Sequence, residues 1–280
     1  MSHRLAPAPA GVWSLAELAR QLRGLWRARQ LLWTLTQREV VARHAGTAFG
    51  ALWAYAQPLL TLAAYVLVFD IVFAMRLGPN SPTPRVGLFL VVGALPWMAF
   101  CDGLNRGMGS LIEAGGLLQK NALPPGLFPL RAVLASAVIY APLMLLLVLA
   151  YTPQHGLAPA VLAVLPLLVA QWLLCALLAW VLAICTAALR DTAQVVTFLL
   201  SLGIFLSPVL FPIEQFPAGA RWVLWLNPMT APILGFQQVL LAGQWPTPGL
   251  WLVMAGWLLG TALLLSLLLR RSRDQLVDWL

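Results

Sequence analysis

Charged residues are scarce in this chain. Asp, Glu, Lys and Arg together make up 9% of its 280 residues, whereas 61% are hydrophobic. The uncharged runs meet or exceed the roughly 20 residues that an α-helix needs to cross a bilayer, and they are 45–69, 132–154, 156–189, 192–213 and 222–269. The segments between them leave no room for a soluble catalytic or nucleotide-binding domain. A single membrane domain over residues 1–280 is predicted.

The apolar runs are continuous and show no alternation of polar and apolar residues. In lipid every backbone polar group needs a partner within the protein, so only helices and closed barrels span a membrane, and barrel strands alternate. The predicted fold class is therefore an all-α polytopic membrane protein. Hydropathy predicts six spans, near 51–75, 86–105, 129–151, 157–188, 192–212 and 247–269.

Cysteine and histidine are also rare, with three residues of each. Cys101, Cys175 and Cys185 lie in apolar runs without metal-ligand spacing, which is typical of small buried hydrophobic residues. The histidines are scattered, the carboxylates are unpaired, and no G-x-S-x-G pattern occurs. We predict neither a catalytic site nor a metal site.

The chain also lacks an energy source of its own. A P-loop reads G-x-x-x-x-G-K-[ST], and the only lysine, Lys120, is followed by Asn. Ion-coupled pumps place an acid near mid-membrane, whereas Asp70 and Asp102 fall near the outer and inner ends of the first two spans. The sequence thus predicts no cofactor in this chain, and any ATP hydrolysis must come from another subunit.

Basic residues predict the orientation. With the N-terminus inside, 14 of the 17 Lys and Arg residues fall on inner segments and three on outer segments. This asymmetry predicts cytoplasmic N- and C-termini. The net charge of +8 is assigned to the cytoplasmic lipid surface, since a basic excess on a membrane protein usually serves there, and nucleic acid is not predicted as a partner.

Residues 14–45 carry arginines beside an apolar face. Ser14 and Glu17 form a capping box, and leucines recur after it at helical spacing. The pattern predicts an amphipathic helix lying in the membrane interface. One interpretation is a plain surface anchor in contact with membrane lipids. The other is that Arg38 and Arg43, next to the first span, attract the phosphate of a lipid-linked substrate.

Two other segments have helix signals of their own. Ser110 and Glu113 form a second capping box before Pro124 and Pro125, which predicts a short cytoplasmic helix over 108–123. Segment 212–242 is apolar but interrupted by prolines, so it cannot form one helix. Two outer re-entrant helices are predicted there, at about 218–226 and 229–242.

An aromatic stripe runs along the first span. Tyr65, Phe69 and Phe73 are spaced four residues apart, on the same helical face as Tyr55. Such a face suits stacking on sugar rings along a polymer path, with Trp53, Tyr55, Tyr65 and Phe69 as candidates. Packing against other spans, or positions in the aromatic belt at the membrane interface, explains the stripe equally well.

The string QREVVARHAGTAFGALWAYAQPLLTLAAYVLVFDIVF (37–73) resembles the N-terminal signature of ABC exporter permeases for O-antigen, teichoic acid and related polysaccharides. That family has an Arg-acid pair, a basic-aromatic-Gly patch, a Leu-Gly-x-x-Trp turn and a proline in span one. These places are filled here by Arg38, Glu39, Gly46, Gly50, Trp53 and Pro58, with Phe49 where Leu is usual and His44 where Tyr is common.

The resemblance implies a transmembrane subunit of a bacterial inner-membrane exporter, working as a homodimer with two ATPase subunits. It implies that a polyprenyl-diphosphate polysaccharide enters beside span one. The ATPase would contact the cytoplasmic coupling helix through Glu113, Leu117, Leu118 and Lys120. The alternative interpretation of that helix is an ordinary interfacial connector. The outer gate would include Glu214, Arg221, Asn227 and Pro228. An exposed polar pair at an outer turn explains Glu214 and Arg221 equally well.

Two alternatives stand beside this interpretation. A permease of the same architecture could export a small drug or lipid, and a neighbouring gene for glycan synthesis would separate the two. An integral-membrane glycosyltransferase or acyltransferase would need an acid or histidine in a membrane-facing loop, for which the sequence offers no good candidate. The identity of the glycan is not predicted.

Overall fold

The computed structural model describes residues 16–43, 46, 48–50, 52–78, 81, 83–121, 123–152, 158–272, 275, 276 and 279. Helices dominate these residues, and the β-pairing found among them is an isolated antiparallel bridge between Arg76 and Arg85. The all-α prediction is confirmed. The described α-helices are α1 (Ala16–Arg27), α2 (Arg29–Ala42), α3 (Leu52–Val66), α4 (Val86–Glu113), α5 (Gly115–Lys120), α6 (Leu127–Tyr151), α7 (Val164–Ala188), α8 (Asp191–Gly203), α9 (Thr230–Leu240) and α10 (Pro248–Arg271).

Shorter helical types complete the fold. Helix α3 continues as a π-helical segment, Leu67–Val72, and α7 is preceded by a 3₁₀ segment, Pro159–Ala163. Two more 3₁₀ segments, Ile213–Gln215 and Ala218–Leu226, lie between α8 and α9.

Five helices are long and apolar enough to cross a membrane: Leu52–Val72, Val86–Glu113, Leu127–Tyr151, Pro159–Ala188 and Pro248–Arg271. They coincide with the predicted spans one to four and six, and the chain is a multi-pass membrane protein. At the place of the predicted fifth span, α8 has 13 residues, about 20 Å of helix, and turns follow it. A hydrocarbon core is about 30 Å thick, so the count of six spans stays a prediction.

Helix α4 is the central span and the most buried of the five. Its close packing on α7 depends on Gly103 and Gly107, which form a G-x-x-x-G pair. A Cβ atom on Gly107 would lie 2.6 Å from Cβ of Ala179, and one on Gly103 would lie 2.6 Å from Sγ of Cys175. Small residues bring membrane helices together because dispersion contacts replace the missing hydrophobic drive between spans.

The start of α4 is capped by a carboxylate from the preceding span. Oδ1 of Asp70 accepts a hydrogen bond from the backbone N–H of Gly87 at 2.7 Å. A negative charge at a helix N-terminus is stabilised by the helix dipole and by the free N–H groups there. Gly87 permits this approach, since a Cβ atom would lie 2.9 Å from the carboxylate.

The first helix packs against the end of the last span. Leu18 and Leu25 of α1 are buried in one apolar cluster with Leu265 and Leu269 of α10 and with Leu276. The N- and C-terminal helices therefore meet at the same end of the bundle, called here the α1 end. That this end is cytoplasmic stays a prediction, and Ser14 of the predicted capping box lies outside the described residues.

The predicted capping box at Ser110 is wrong. Helix α4 continues through Ser110 to Glu113, and the Ser110 hydroxyl donates to the carbonyl of Gly107. Burial of Met108 and Leu111 extends the packed face of α4 beyond the predicted boundary. The separate helix is thus shorter than the predicted 108–123 and comprises only α5, Gly115–Lys120, after a break at Ala114.

We expect Gly107→Ala to lower stability by about 1–3 kcal/mol, because the added methyl group forces α4 away from α7. The measurement is the thermal unfolding midpoint of the purified protein in one detergent. Gly109→Ala is the matched control on the same helix, since its Cβ would meet nothing closer than Oε1 of Glu113 at 3.5 Å.

The double variant Gly107→Ala/Ala179→Gly should recover most of the loss, since the next atom, Cα of Ala179, lies 3.5 Å from the new methyl group. Equal midpoints for Gly107→Ala and Gly109→Ala would contradict the close-packing explanation.

Candidate functional site

A polar cluster joins three helices near the α1 end of the bundle. Asp102 on α4 lies at its centre. Its Oδ2 accepts from Nη1 of Arg43 at 3.1 Å and from the Ser136 hydroxyl, and its Oδ1 accepts from Nε of Arg106 at 2.8 Å. One carboxylate therefore binds two guanidinium groups and a hydroxyl.

Arg43 is the buried member of this cluster. It follows α2, and its side chain is only 2% exposed. Nη2 donates to the carbonyl of Ala132 at 3.0 Å and to the Ser136 hydroxyl at 3.1 Å. Burial lowers the pKa of Arg43, and the Asp102 carboxylate opposes this shift. Arg43 thus fastens the end of α2 to α4 and α6.

This geometry bears on the two predicted phosphate ligands. The terminal nitrogens of Arg43 already bind groups within the protein, so a phosphate would have to displace them. Arg38, on α2, is exposed. Contact of either arginine with phosphate stays a prediction. Arg38 is the more accessible of the two.

A second group of charges extends the cluster toward α5. Nη2 of Arg131 lies 3.7 Å from Oε2 of Glu39 and 4.0 Å from Oε2 of Glu113. The Arg131 guanidinium also stacks over Phe128, 5.4 Å from the ring centre. Helices α2, α4 and α6 are therefore linked twice by charges at this end.

A polar cavity of about 110 Å³ opens beside Asp102. Its walls come from α3, α4 and α6 together with Arg43, and are formed by Arg43, Ala54, Gln57, Pro58, Met98, Asp102, Arg106, Ile139 and Tyr140. Of the residues predicted from the sequence to bind substrate, Arg43 alone lines it. Asp102 and Arg106 were missed as site residues, although an Asp-Arg pair four residues apart in an apolar helix was a signal for them.

The residues of the predicted aromatic stripe differ in how far they are buried. Tyr55 and Tyr65 are half-buried and pack against the main apolar core. Trp53 is 42% exposed and makes an edge-to-face contact with Phe49. Phe69 makes one with Phe73 in and beyond the π-helical segment. Both interpretations of the stripe, sugar path and packing, stay predictions, and packing fits the two tyrosines best.

The four predicted ATPase contacts also differ in exposure. Leu117 and Lys120 are exposed on α5, and the Glu113 side chain is 68% exposed at the end of α4. Leu118 points the other way and is buried in one apolar cluster with Leu111 and Trp180. Leu118 therefore anchors α5, and its three neighbours form the accessible surface.

The predicted outer gate is held together largely by backbone contacts. Nη2 of Arg221 donates to the backbone carbonyl of Glu214 at 2.8 Å, and its Nε donates to that of Phe216 at 3.1 Å. The predicted helix over 218–226 is present as a 3₁₀ helix, and α9 occupies most of 229–242. Their re-entrant course through the membrane stays a prediction.

Asn227 and Pro228 form the joint between these two helices. The Asn227 amide nitrogen donates to the carbonyls of Gly203, at 3.3 Å, and Leu206, at 3.4 Å. Its Oδ1 accepts from the backbone N–H of Met229 at 3.0 Å. Asn227 thus ties the joint to the end of α8.

Comparison with known proteins shows the class to which this architecture belongs. The chain belongs to the ABC-2 type transporter family, whose model matches residues 30–241. Membership of this family implies an ABC ATPase as partner subunit. The family-level prediction from residues 37–73 is confirmed.

Particular relatives are similar over most of their length. The O-antigen export system permease protein RfbA of Myxococcus xanthus is 34% identical over 231 residues, which cover 79% of this chain and 84% of that protein. Two Klebsiella pneumoniae proteins of the same name are 23% and 22% identical over 216 residues, covering 76% of this chain and 81% of each.

Substitution of Asp102 is expected to be the most damaging change in the cluster. Asp102→Ala leaves Arg43 buried without its carboxylate, and breaking a buried ion pair costs about 3–5 kcal/mol. Arg106→Ala removes a partner that is 41% exposed, for which about 0–1 kcal/mol is expected. The thermal midpoints of both variants in the same detergent measure this difference.

Arg43→Lys is the graded control, since it keeps the charge but loses the planar fork that reaches Asp102 and Ala132 together. Its midpoint should lie between those of the other two variants. An Asp102→Ala protein as stable as Arg106→Ala would show that the buried ion pair does not hold α2 in place.

Proposed function

We propose that this protein is the transmembrane subunit of an ATP-driven ABC exporter that moves a lipid-linked polysaccharide, such as O-antigen, from the cytoplasmic to the outer face of the bacterial inner membrane. The observation that carries the proposal is the similarity, over 79% of this chain, to a permease named for O-antigen export. The competing interpretations, export of a small drug or lipid and transfer of a glycosyl or acyl group, have no comparable support. In the proposed function the chain itself has no catalytic site, and ATP and Mg²⁺ bind to the ATPase.

The α1 end of the bundle is cytoplasmic in this proposal. Exposed arginines cluster on α1 and α2, including Arg23, Arg27 and Arg38. Cytoplasmic segments of membrane proteins carry the excess of basic residues, because the inner leaflet is anionic. Arg38 then lies at the membrane surface beside the first span, where the phosphate of an incoming lipid-linked substrate would arrive.

The working unit is a homodimer around a central path. Helix α8 has no buried residue in the single chain, and Gln194, Thr197 and Ser201 follow one another at helical spacing along it. Gln194, Thr197 and Ser201 are exposed, and Thr197 donates to Oδ1 of Asn105 at 3.1 Å. Lipid is a poor environment for a row of polar groups, which supports a second copy and a hydrated path on this side.

Exposed aromatic residues of span one, such as Trp53, would supply stacking surfaces for sugars.

ATP-driven motion of the ATPase subunits reaches this chain through α5. The two ATPase subunits would contact Leu117, Lys120 and Glu113, which are exposed, while Leu118 transmits the force into the packed core. Arg131 links Glu113 to Glu39 at the end of α2. Motion of α5 would therefore reach the substrate entrance through contacts already present.

At the outer side, Glu214, Arg221, Asn227 and Pro228 would form the gate that the polymer passes.

Deletion of the gene should remove the polysaccharide from the cell surface and cause polyprenyl-linked polymer to accumulate on the inner leaflet, because synthesis continues without export. Extraction of membrane lipids, followed by analysis of the glycan that they carry, measures this. Complementation with the wild-type gene is the control. An unchanged lipid-linked glycan pool together with an unchanged surface would overturn the proposed function.

A cysteine at Leu117 is expected to cross-link to the ATPase subunit, whereas one at Leu118 is not, because Leu117 is 44% exposed and Leu118 is 9% exposed. The two neighbouring positions form a matched pair on one helix. Gel analysis of the assembled complex after treatment with a short bifunctional reagent reads the result. Failure of Leu117→Cys to trap any ATPase would assign α5 a merely connecting role.

A further inference from the structure

The position of Arg106 along α4 gives its depth when α4 spans the membrane. It is separated from Val86, the first residue of α4, by 20 residues, which corresponds to about 30 Å of helix. This length matches the hydrocarbon thickness of a bilayer. With the start of α4 at the outer boundary, the Arg106 side chain therefore lies where the phosphates of inner-leaflet lipids lie.

The two arginines of the cavity differ in their freedom to bind a ligand. Arg43 is 2% exposed and its terminal nitrogens are bonded within the protein, whereas the Arg106 side chain is 41% exposed. Among the described residues, the polar contacts of Arg106 are confined to Asp102, which accepts from its Nε. That bond uses only Nε and leaves both terminal NH₂ groups available to a ligand.

The remaining walls of the cavity suit the same kind of ligand. Gln57 supplies an amide and Tyr140 a hydroxyl, while Ala54, Pro58, Met98 and Ile139 are apolar. The charges that line the cavity are Arg43, Arg106 and Asp102, an excess of one positive charge. Outside the cavity wall, Glu39 lies 3.9 Å from Nε of Arg43, and Arg131 lies between Glu39 and Glu113.

We propose that Arg106, with Gln57 and Tyr140, forms a binding site for the phosphate group of a lipid at the inner membrane boundary. A guanidinium presents a planar fork that matches two phosphate oxygens, and such charge-assisted bonds are stronger than neutral ones. The charged groups on the cavity wall, two guanidinium groups and one carboxylate, favour an anion over a cation. The cavity, at about 110 Å³, exceeds the space that one water molecule needs. The assignment rests on the proposed function for the identity of the lipid, and it places the phosphate on Arg106 instead of Arg43.

Binding is tested with the full chain and its ATPase partner reconstituted in phosphatidylcholine nanodiscs. The probes are a polyprenyl diphosphate, the same polyprenol without phosphate, and phosphatidylglycerol, and native mass spectrometry counts the bound lipids. Arg106→Gln should bind the phosphate-bearing probes at least about tenfold more weakly than the wild type. Arg106→Lys should recover part of the affinity, because it keeps the charge without the fork.

Arg190→Gln is the matched control, because Arg190 is an exposed arginine at the same end of the bundle and does not line the cavity. Its affinities should equal those of the wild type. Preference for the polyprenyl diphosphate identifies the substrate lipid as the occupant, and equal binding of phosphatidylglycerol identifies an ordinary phospholipid; either result supports a phosphate site.

Wild-type affinities in Arg106→Gln for both phosphate-bearing probes would overturn the site, as would equal wild-type binding of the phosphate-free polyprenol. The gene deletion tests the proposed function separately. An Arg106-dependent phosphate site in a strain whose surface glycan survives the deletion would leave this assignment standing while the proposed function fails.

Discussion

The fold depends at its α1 end on the charge of Asp102. Arg43 is almost fully buried, and a buried guanidinium is tolerated only where a carboxylate and hydrogen-bond acceptors surround it. Asp102 supplies the carboxylate, and α6 supplies Ser136 and the carbonyl of Ala132. Helix α2 is therefore fastened to two spans by one buried ion pair and the hydrogen bonds around it.

Helix α4 is the support for nearly everything else. At its start Asp70 caps the free N–H of Gly87, and toward its end Asp102 holds the arginines. Just beyond Asp102, Gly103 and Gly107 let α7 approach, so that ion pairs and close packing fix the same part of the helix. Span one is joined to α4 by Asp70, and the segment before it by Arg43, although the span is mostly unburied along its length. This exposure suits an element that borders a path or a second copy.

Much of the fold was predictable because lipid restricts the choices. Length and hydropathy located five of the spans, and prolines located the break between α8 and α9. The errors came from local signals overridden by packing: Ser110 reads as a cap, yet buried Met108 and Leu111 carry α4 through it. The candidate site was only partly predictable, since Arg43 was named for its charge without the knowledge that Asp102 and Ser136 already bind it.

The amino-acid sequence alone determined the all-helical class, most of the spans and the family, because these follow from composition, periodicity and a continuous motif. Only the tertiary structure decided which arginine is buried and which is exposed, and which of Leu117 and Leu118 faces outward. The physical reason is that exposure and ion pairing are properties of helices in contact. Residues 43, 102 and 136 lie far apart in the chain, and they meet only after α2, α4 and α6 have packed.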